Sequence, residues 1–154
     1  PAEVIMQRAH RNEYDWAIRM TGARILEVET EAELRAALSQ RTAMVAINAD
    51  ADASPIPIER MIAIAGERDI PCLVDAAAQR PDVPNRYLAM GADVVAYSGG
   101  KCLRGPQSTG FALGRKDILW AAFLNGAPHH ALGRPMKSGK EEIMGLLAAI
   151  EAWI

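Results

Sequence analysis

The sequence predicts an α/β fold, a three-layer sandwich whose mainly parallel sheet lies between helices. Three observations carry that prediction. Short β-branched runs alternate with helical patterns along the chain, the order expected of βαβ units. The strand runs are continuously apolar rather than alternating, as burial on both faces requires. Half of the 154 residues are hydrophobic but only 5% are aromatic, so the helices can pack closely on the sheet through small side chains. That length is enough for one domain with a sizeable core.

The elements follow in order. Val4-Ile5-Met6 is a short apolar run. Asn12 caps an expected helix with Tyr14, Ala17, Ile18 and Thr21 on one face, ending at Gly22. Arg24 to Val28 reads as a strand. Thr30 then caps a helix through Ser39, with Glu33 at the capping-box position. Thr42 to Ile47 is the next strand, and Asn48 to Pro57 is rich in turn residues. Ile58, Met61, Ile62 and Ala65 recur at helical spacing. Ile70 to Val74 is a buried strand closed by Asp75. Asn85 to Met90 is a short helix, Asp93 to Tyr97 a strand, and a Gly-rich loop follows. Gly110 to Leu113 is a short strand, Asp117 to Leu124 a helix and Asn125 to Arg134 a loop. Ser138 caps the expected final helix, whose Ile143, Leu146, Leu147 and Ile150 form an apolar stripe.

Composition narrows the function. Seventeen basic residues against nineteen acidic ones give a formal charge of −2, which offers no case for a nucleic-acid groove. No apolar run reaches the roughly 18 residues of a membrane span. Cys72 and Cys102 form neither a disulfide framework nor a spaced zinc pattern, which points to a reducing, cytoplasmic setting. Pro1 opens the chain without an initiator Met, and Trp153-Ile154 closes it inside an apolar pattern. We therefore expect a segment of something longer.

Two strand ends carry unusual chemistry, Leu73-Val74-Asp75-Ala76-Ala77-Ala78 and Val95-Ala96-Tyr97-Ser98-Gly99-Gly100-Lys101. Ligands of open α/β sheets bind beyond the carboxyl ends of strands. A carboxylate closing an apolar strand is costly unless it meets a cation or a donor. A plain Asp75–Lys101 ion pair is one reading. A cofactor between them is the other. Pyridoxal phosphate (PLP) asks for a lysine to form the Schiff base, an acid for the pyridine nitrogen, small residues beneath the ring, and hydroxyls or amides for the phosphate.

Tyr97-Ser98-Gly99-Gly100-Lys101-Cys102-Leu103-Arg104-Gly105-Pro106-Gln107 resembles the Schiff-base lysine segment of fold-type I PLP enzymes. The branch it resembles holds L-seryl-tRNA(Sec) selenium transferase and D-glucosaminate-6-phosphate ammonia-lyase, with a Ser-Gly-(Asp/Gly)-Lys tetrad followed by Gly-Pro-Gln. The resemblance extends through Val74 to Ala78, Asn85 to Asp93, Arg134 to Lys137 and Lys140 to Glu142. It implies that Lys101 carries the cofactor and shuttles the Cα proton, and that Asp75 pairs with the pyridinium nitrogen. Ala77 would lie against a ring face and Ser98 would help bind phosphate. Gly99 and Gly100 would let backbone approach the cofactor, or simply make a tight turn. The fold implied is most of the large domain of such an enzyme, with Gly110 to Leu113 running antiparallel. Residues 139–154 would lead toward a C-terminal domain. The implied activity is that of a lyase or transferase on an amino acid or amino-sugar acid. Ammonia-lyase-like β-elimination is preferred over selenium-transferase-like replacement, for want of a basic patch. A homo-oligomer is implied as well.

The chain also departs from the pattern. Some relatives place Gln three residues after the aspartate, where this chain has Ala78, so Gln79 is not assigned. Cys102 reads as a buried packing thiol rather than a nucleophile. His129 and His130 could reach a substrate or be loop residues, and no metal site is expected. Ser138-Gly139-Lys140 lacks the leading Gly of a phosphate loop. The upstream Gly-rich helix start and the ring-stacking residue of the family have no counterpart in this reading. Two other classes remain open, a nucleotide-binding α/β module without PLP and a catalytically silent fragment. No Gly-x-Gly-x-x-Gly opens a helix after the first strand, which counts against the former.

Overall fold

The computed structural model describes residues 1–51 and 54–154. Asp52 and Ala53, inside the turn-rich stretch before Pro57, lie outside the described residues. Six strands form one sheet: β1 (Glu3–Gln7), β2 (Arg24–Val28), β3 (Thr42–Asn48), β4 (Cys72–Asp75), β5 (Val94–Ser98) and β6 (Gly110–Gly114), in the order β2-β1-β3-β4-β5-β6. All neighbours run parallel except β6, which pairs antiparallel with β5 from Val94↔Gly114 to Ser98↔Gly110. The expected mainly parallel sheet with one reversed strand is what forms.

The helices are α1 (Trp16–Arg19), α2 (Glu31–Ala37), α3 (Ile58–Gly66), α4 (Arg86–Ala89), α5 (Lys116–Asn125) and α6 (Lys140–Trp153). Thr30 accepts the Glu33 N–H at 3.2 Å and so caps α2, while the Glu33 carboxylate takes the Glu29 N–H at 2.7 Å. The two interactions hold both sides of the helix entry, although the reciprocal bond falls one residue earlier than a capping box places it. Asn85 caps α4 by accepting the Tyr87 and Leu88 N–H groups.

The larger core lies on one sheet face. Ile5, Val45, Ile47, Val74 and Val95 point into it, and Leu34 of α2, Met61, Ile64 and Ala65 of α3 and Tyr87 of α4 close it. The other face holds a smaller cluster, Val4, Met6 and Ala46 with Ile18, Ile25 and Met44 against it. The alternation of Val4, Ile5 and Met6 between two clusters shows why the strand runs are apolar throughout.

Two expectations need correction. The helix expected from Asn12 to Gly22 is a 3₁₀ turn (Glu13–Asp15) followed by the short α1, and Tyr14 is 68% exposed instead of buried. The side chain buried there is Asp15, held by Arg11 and, at 2.8 Å, by Arg19. Those bonds, that of Arg11 foremost, hold its carboxyl below the usual range. The two guanidiniums offset the cost of burying that carboxylate. The last helix is preceded at its N-cap by Gly139, not Ser138. The Glu142 carboxylate accepts the Gly139 N–H at 2.6 Å, and the Ser138 hydroxyl donates instead to the Ser108 carbonyl. The α6 stripe is apolar as expected; of it Leu146 is buried, with Ile143 and Leu147 each 47% exposed. No described helix is long and apolar enough to cross a membrane.

Candidate active site

Strand order reverses between β1 and β3, and the carboxyl ends of β1, β3, β4 and β5 open on the same side. This is where an α/β sheet presents a ligand crevice. Backbone bonds join three of those ends. The Ala49 N–H donates to the Asp75 carbonyl (2.8 Å), the Ala76 N–H to the Ala96 carbonyl (2.9 Å) and the Ser98 N–H to the Ala77 carbonyl (3.4 Å). Asp75 Oδ1 accepts the Ala77 N–H at 3.0 Å, which fixes the half-buried carboxylate at the strand tip.

Four of the five residues singled out from the sequence meet here. Asp75, Ala77, Ser98 and Lys101 line one cleft of about 440 Å³, completed by Asn12, Glu13, Tyr14, Asn48 and Asp50. That volume lies within the range of small-molecule sites. The Lys101 ammonium stands over the Tyr14 ring, 5.8 Å from its centroid, and forms no salt bridge with Asp75 among the described residues. The plain ion-pair reading therefore fails. An acid and an amine share one cleft without neutralising each other, beside a small side chain, a hydroxyl and an aromatic face. This donor set fits an aldehyde-bearing heterocycle with a basic ring nitrogen.

Gly100 is the exception. It does not line the cleft, and a Cβ there would stand 2.6 Å from Gln107 Cα, while the Gln107 amide donates to the Gly100 carbonyl at 3.1 Å. A Cβ on Gly99 would meet Thr109 Oγ1 at 2.1 Å and Leu146 Cδ1 at 2.8 Å. Both glycines thus serve the close folding of the lysine loop onto the Gly-Pro-Gln turn and α6. Of the two roles left open for them, the tight turn is the one these contacts support.

Gln79 is occupied elsewhere, donating to Asp50 at 2.5 Å and accepting from Arg86 at 2.9 Å. The Cys102 thiol is half-buried, not buried, and donates to the Ala78 carbonyl at 3.0 Å. His129, in the loop after α5, bonds the Phe123 carbonyl at 3.1 Å and sits edge-on to the Phe123 ring.

Sequence reasoning missed Tyr14, Asn48 and a buried network behind them. Asn48 closes β3 in register with Asp75, so the strand-end rule that found Asp75 could have found it. His10 is fully buried behind this edge. Its Nε2 lies 2.6 Å from the Ser54 hydroxyl, and its Nδ1 accepts the Asn48 N–H at 3.4 Å. Gln7 sits against the same ring and bonds the Ile56 backbone through both ends of its amide. Burial holds His10 down to about 4 from 6.5, so it is neutral in the folded state near neutral pH. Between those values the unfolded chain takes up a proton that the folded chain refuses. Stability is fully present above pH 6.5 and falls as pH drops toward about 4, by about 3 kcal/mol in total. Denaturant titrations at pH 7 and pH 5 should show about 2 kcal/mol of that loss in the parent and much less in His10→Gln. Equal losses in both would place the pH sensitivity elsewhere.

The parallel sheet, its single antiparallel edge strand and the ligand cleft at the switch point define the large-domain architecture of fold-type I enzymes. The chain belongs to the aminotransferase class-V family, whose sequence model matches residues 8–133. It is 35% identical to a 5'-C-glycyluridine monooxygenase-decarboxylase from Streptomyces sp, across 99% of this chain and 40% of that protein. It is 37% identical to D-glucosaminate-6-phosphate ammonia lyase from Salmonella typhimurium, across 97% of this chain and 42% of the relative. An L-seryl-tRNA(Sec) selenium transferase from Desulfovibrio desulfuricans matches 66% of the chain at 29% identity. A solved structure of D-glucosaminate-6-phosphate ammonia-lyase superposes with a TM-score of 0.87 and 34% identity, covering 99% of this chain and 43% of that one. The chain spans about two fifths of the length of the first two relatives.

Proposed function

We propose that this chain forms the cofactor-binding core of a PLP-dependent lyase or transferase acting on an amino acid or amino-sugar acid. The observation that carries the reading is the convergence of Asp75, Ala77, Ser98 and Lys101 on one cleft at the strand ends. PLP, when bound, supplies an electron sink for charge developing at the substrate α-carbon. The chain's own residues do the rest. Lys101 Nζ anchors the cofactor aldehyde and, once released, takes the Cα proton and can return it. Asp75, fixed by its bond from the Ala77 N–H, places a negative charge against the protonated ring nitrogen. Ala77 leaves room for one ring face, and Ser98 donates to the phosphate. Gly100 keeps the loop tight and would let its backbone approach the cofactor. Loss of a β-substituent after proton removal gives an ammonia-lyase-like elimination. Selenium-transferase-like replacement is the second reading, supported by the likeness to selenium transferases. The relatives' names span oxygenation with decarboxylation, elimination and transfer, so the choice among them rests on substrate.

In domain terms the chain is part of the large domain, with residues 139–154 leading toward a C-terminal domain. A cytoplasmic, homo-oligomeric enzyme with a small-molecule substrate completes the reading. Addition of PLP to the intact protein should raise a visible absorbance band that Lys101→Ala lacks. The same band in both proteins would remove Lys101 from the reading.

A further inference from the structure

Lys101 belongs to two cavities. The second, of about 680 Å³, is lined by Arg80, Lys101, Cys102, Leu103, Arg104, Ala149, Ala152 and Trp153, and shares none of the other residues of the Asp75 cleft. Three cations meet there and no carboxylate lines the wall. Among the described residues, neither Arg80 nor Arg104 forms a salt bridge, whereas Arg8, Arg11, Arg19, Arg35, Arg41, Arg60, Arg86 and Arg115 all do. Among the described residues Arg24, Arg68 and Arg134 form none either, and what sets Arg80 and Arg104 apart is that both line one cavity with the lysine.

Their placement is held by specific contacts. The Arg80 guanidinium lies over the Trp153 ring, 5.1 Å from its centroid, and the Trp153 indole N–H donates to the Pro81 carbonyl at 2.8 Å. The aromatic face and its anchored indole thus hold one cation in position. Arg104 has φ 56°, a left-handed conformation that glycine adopts freely and a long side chain adopts at a cost. A glycine would ease that turn, which the Arg104 N–H closes onto the Lys101 carbonyl at 3.0 Å. From that turn the Arg104 side chain lines the cavity. Fixed cations around a concave wall free of acids concentrate anions, and a guanidinium fork matches an oxyanion's geometry.

We propose that Arg80 and Arg104 bind an oxyanion group of the substrate, a carboxylate or phosphate ester, in the cavity adjoining the Asp75 cleft at Lys101. The substrate class is then an amino compound bearing an acidic group apart from the reacting carbon. This rests on Lys101 being the reacting amine, since that places the reacting carbon within reach of the anion site.

The test uses the intact protein, titrated at constant ionic strength with inorganic phosphate and separately with acetate, and followed by ¹⁵N–¹H shifts including the Trp153 indole. Saturable shifts are expected at Trp153 and around Arg80 and Arg104, with phosphate or acetate tighter according to which group the site takes. Arg80→Gln and Arg104→Gln should each weaken binding about tenfold. Arg104→Gly should weaken it equally while being no less stable to denaturant, which a purely structural arginine would not allow. Absence of saturation, shifts centred on Ser98 and Asp75, or unchanged affinity in all three variants would overturn the proposal. So would loss of borohydride-fixed PLP on Lys101 in the arginine variants, which would make the anion the cofactor's own phosphate. Failure of Lys101 to label in the parent sinks the functional reading instead, and leaves the anion titration to stand or fall by itself.

Discussion

Asp75→Asn should leave the fold in place and lower turnover of the intact protein by about two to four orders of magnitude. The amide has the carboxylate's shape, and its oxygen can still accept the Ala77 N–H that Asp75 Oδ1 now takes at 3.0 Å. The β4 pairing of Asn48↔Asp75 and Asp75↔Ala96 is made by backbone and does not depend on the charge. What disappears is the negative charge opposite the ring nitrogen. That charge matters more in the transition state than in the resting complex, so kcat should fall more than cofactor affinity. Denaturant midpoint and kcat measured together separate the two effects. Near-normal turnover would make Asp75 a structural residue.

Gly99→Ala should damage the site from a different direction. The new Cβ would lie 2.1 Å from Thr109 Oγ1, and that hydroxyl is not free to swing away because it donates to the Pro106 carbonyl at 2.7 Å. Leu146, the one buried residue of α6, closes the other side at 2.8 Å. Relief requires moving the lysine loop away from α6, at a cost of about 1 to 3 kcal/mol. Gly66→Ala is the natural control, since nothing lies within 4 Å of a Cβ there. The expected result is a lowered midpoint and diminished cofactor capture at Lys101 for Gly99→Ala, and neither for Gly66→Ala. Two variants of equal stability would mean that the loop is more plastic than its contacts imply.

The sheet was legible because burial on both faces leaves a strong local mark. Arg24 to Val28 is recovered to the residue, and Gly110 to Leu113 to within one. Asp75 and Lys101 were legible for the opposite reason, a polar group where an apolar strand ends. His10 left no such mark. Its partners Asn48 and Ser54 stand 38 and 44 residues away, and only the fold brings them to the ring. Tyr14 was misplaced because helical spacing was extended through Asp15, whose need for Arg11 and Arg19 turned the aromatic outward into the cleft. The α6 stripe was read correctly as apolar, and its exposure was not legible. Periodicity reports which side chains share a face and is silent on what packs against it. For Gly100 the contacts support the tight turn and leave its approach to a cofactor untested, since a glycine beside a lysine can serve both.

The account stands on Lys101 as the residue that holds the cofactor. Borohydride reduction of the PLP-loaded intact protein, followed by peptide mapping, tests this directly. A phosphopyridoxyl group on Lys101, absent from Lys101→Ala, is the predicted result. A group fixed instead on Lys116, Lys137 or Lys140, each exposed at the edge of a helix or loop, would contradict it.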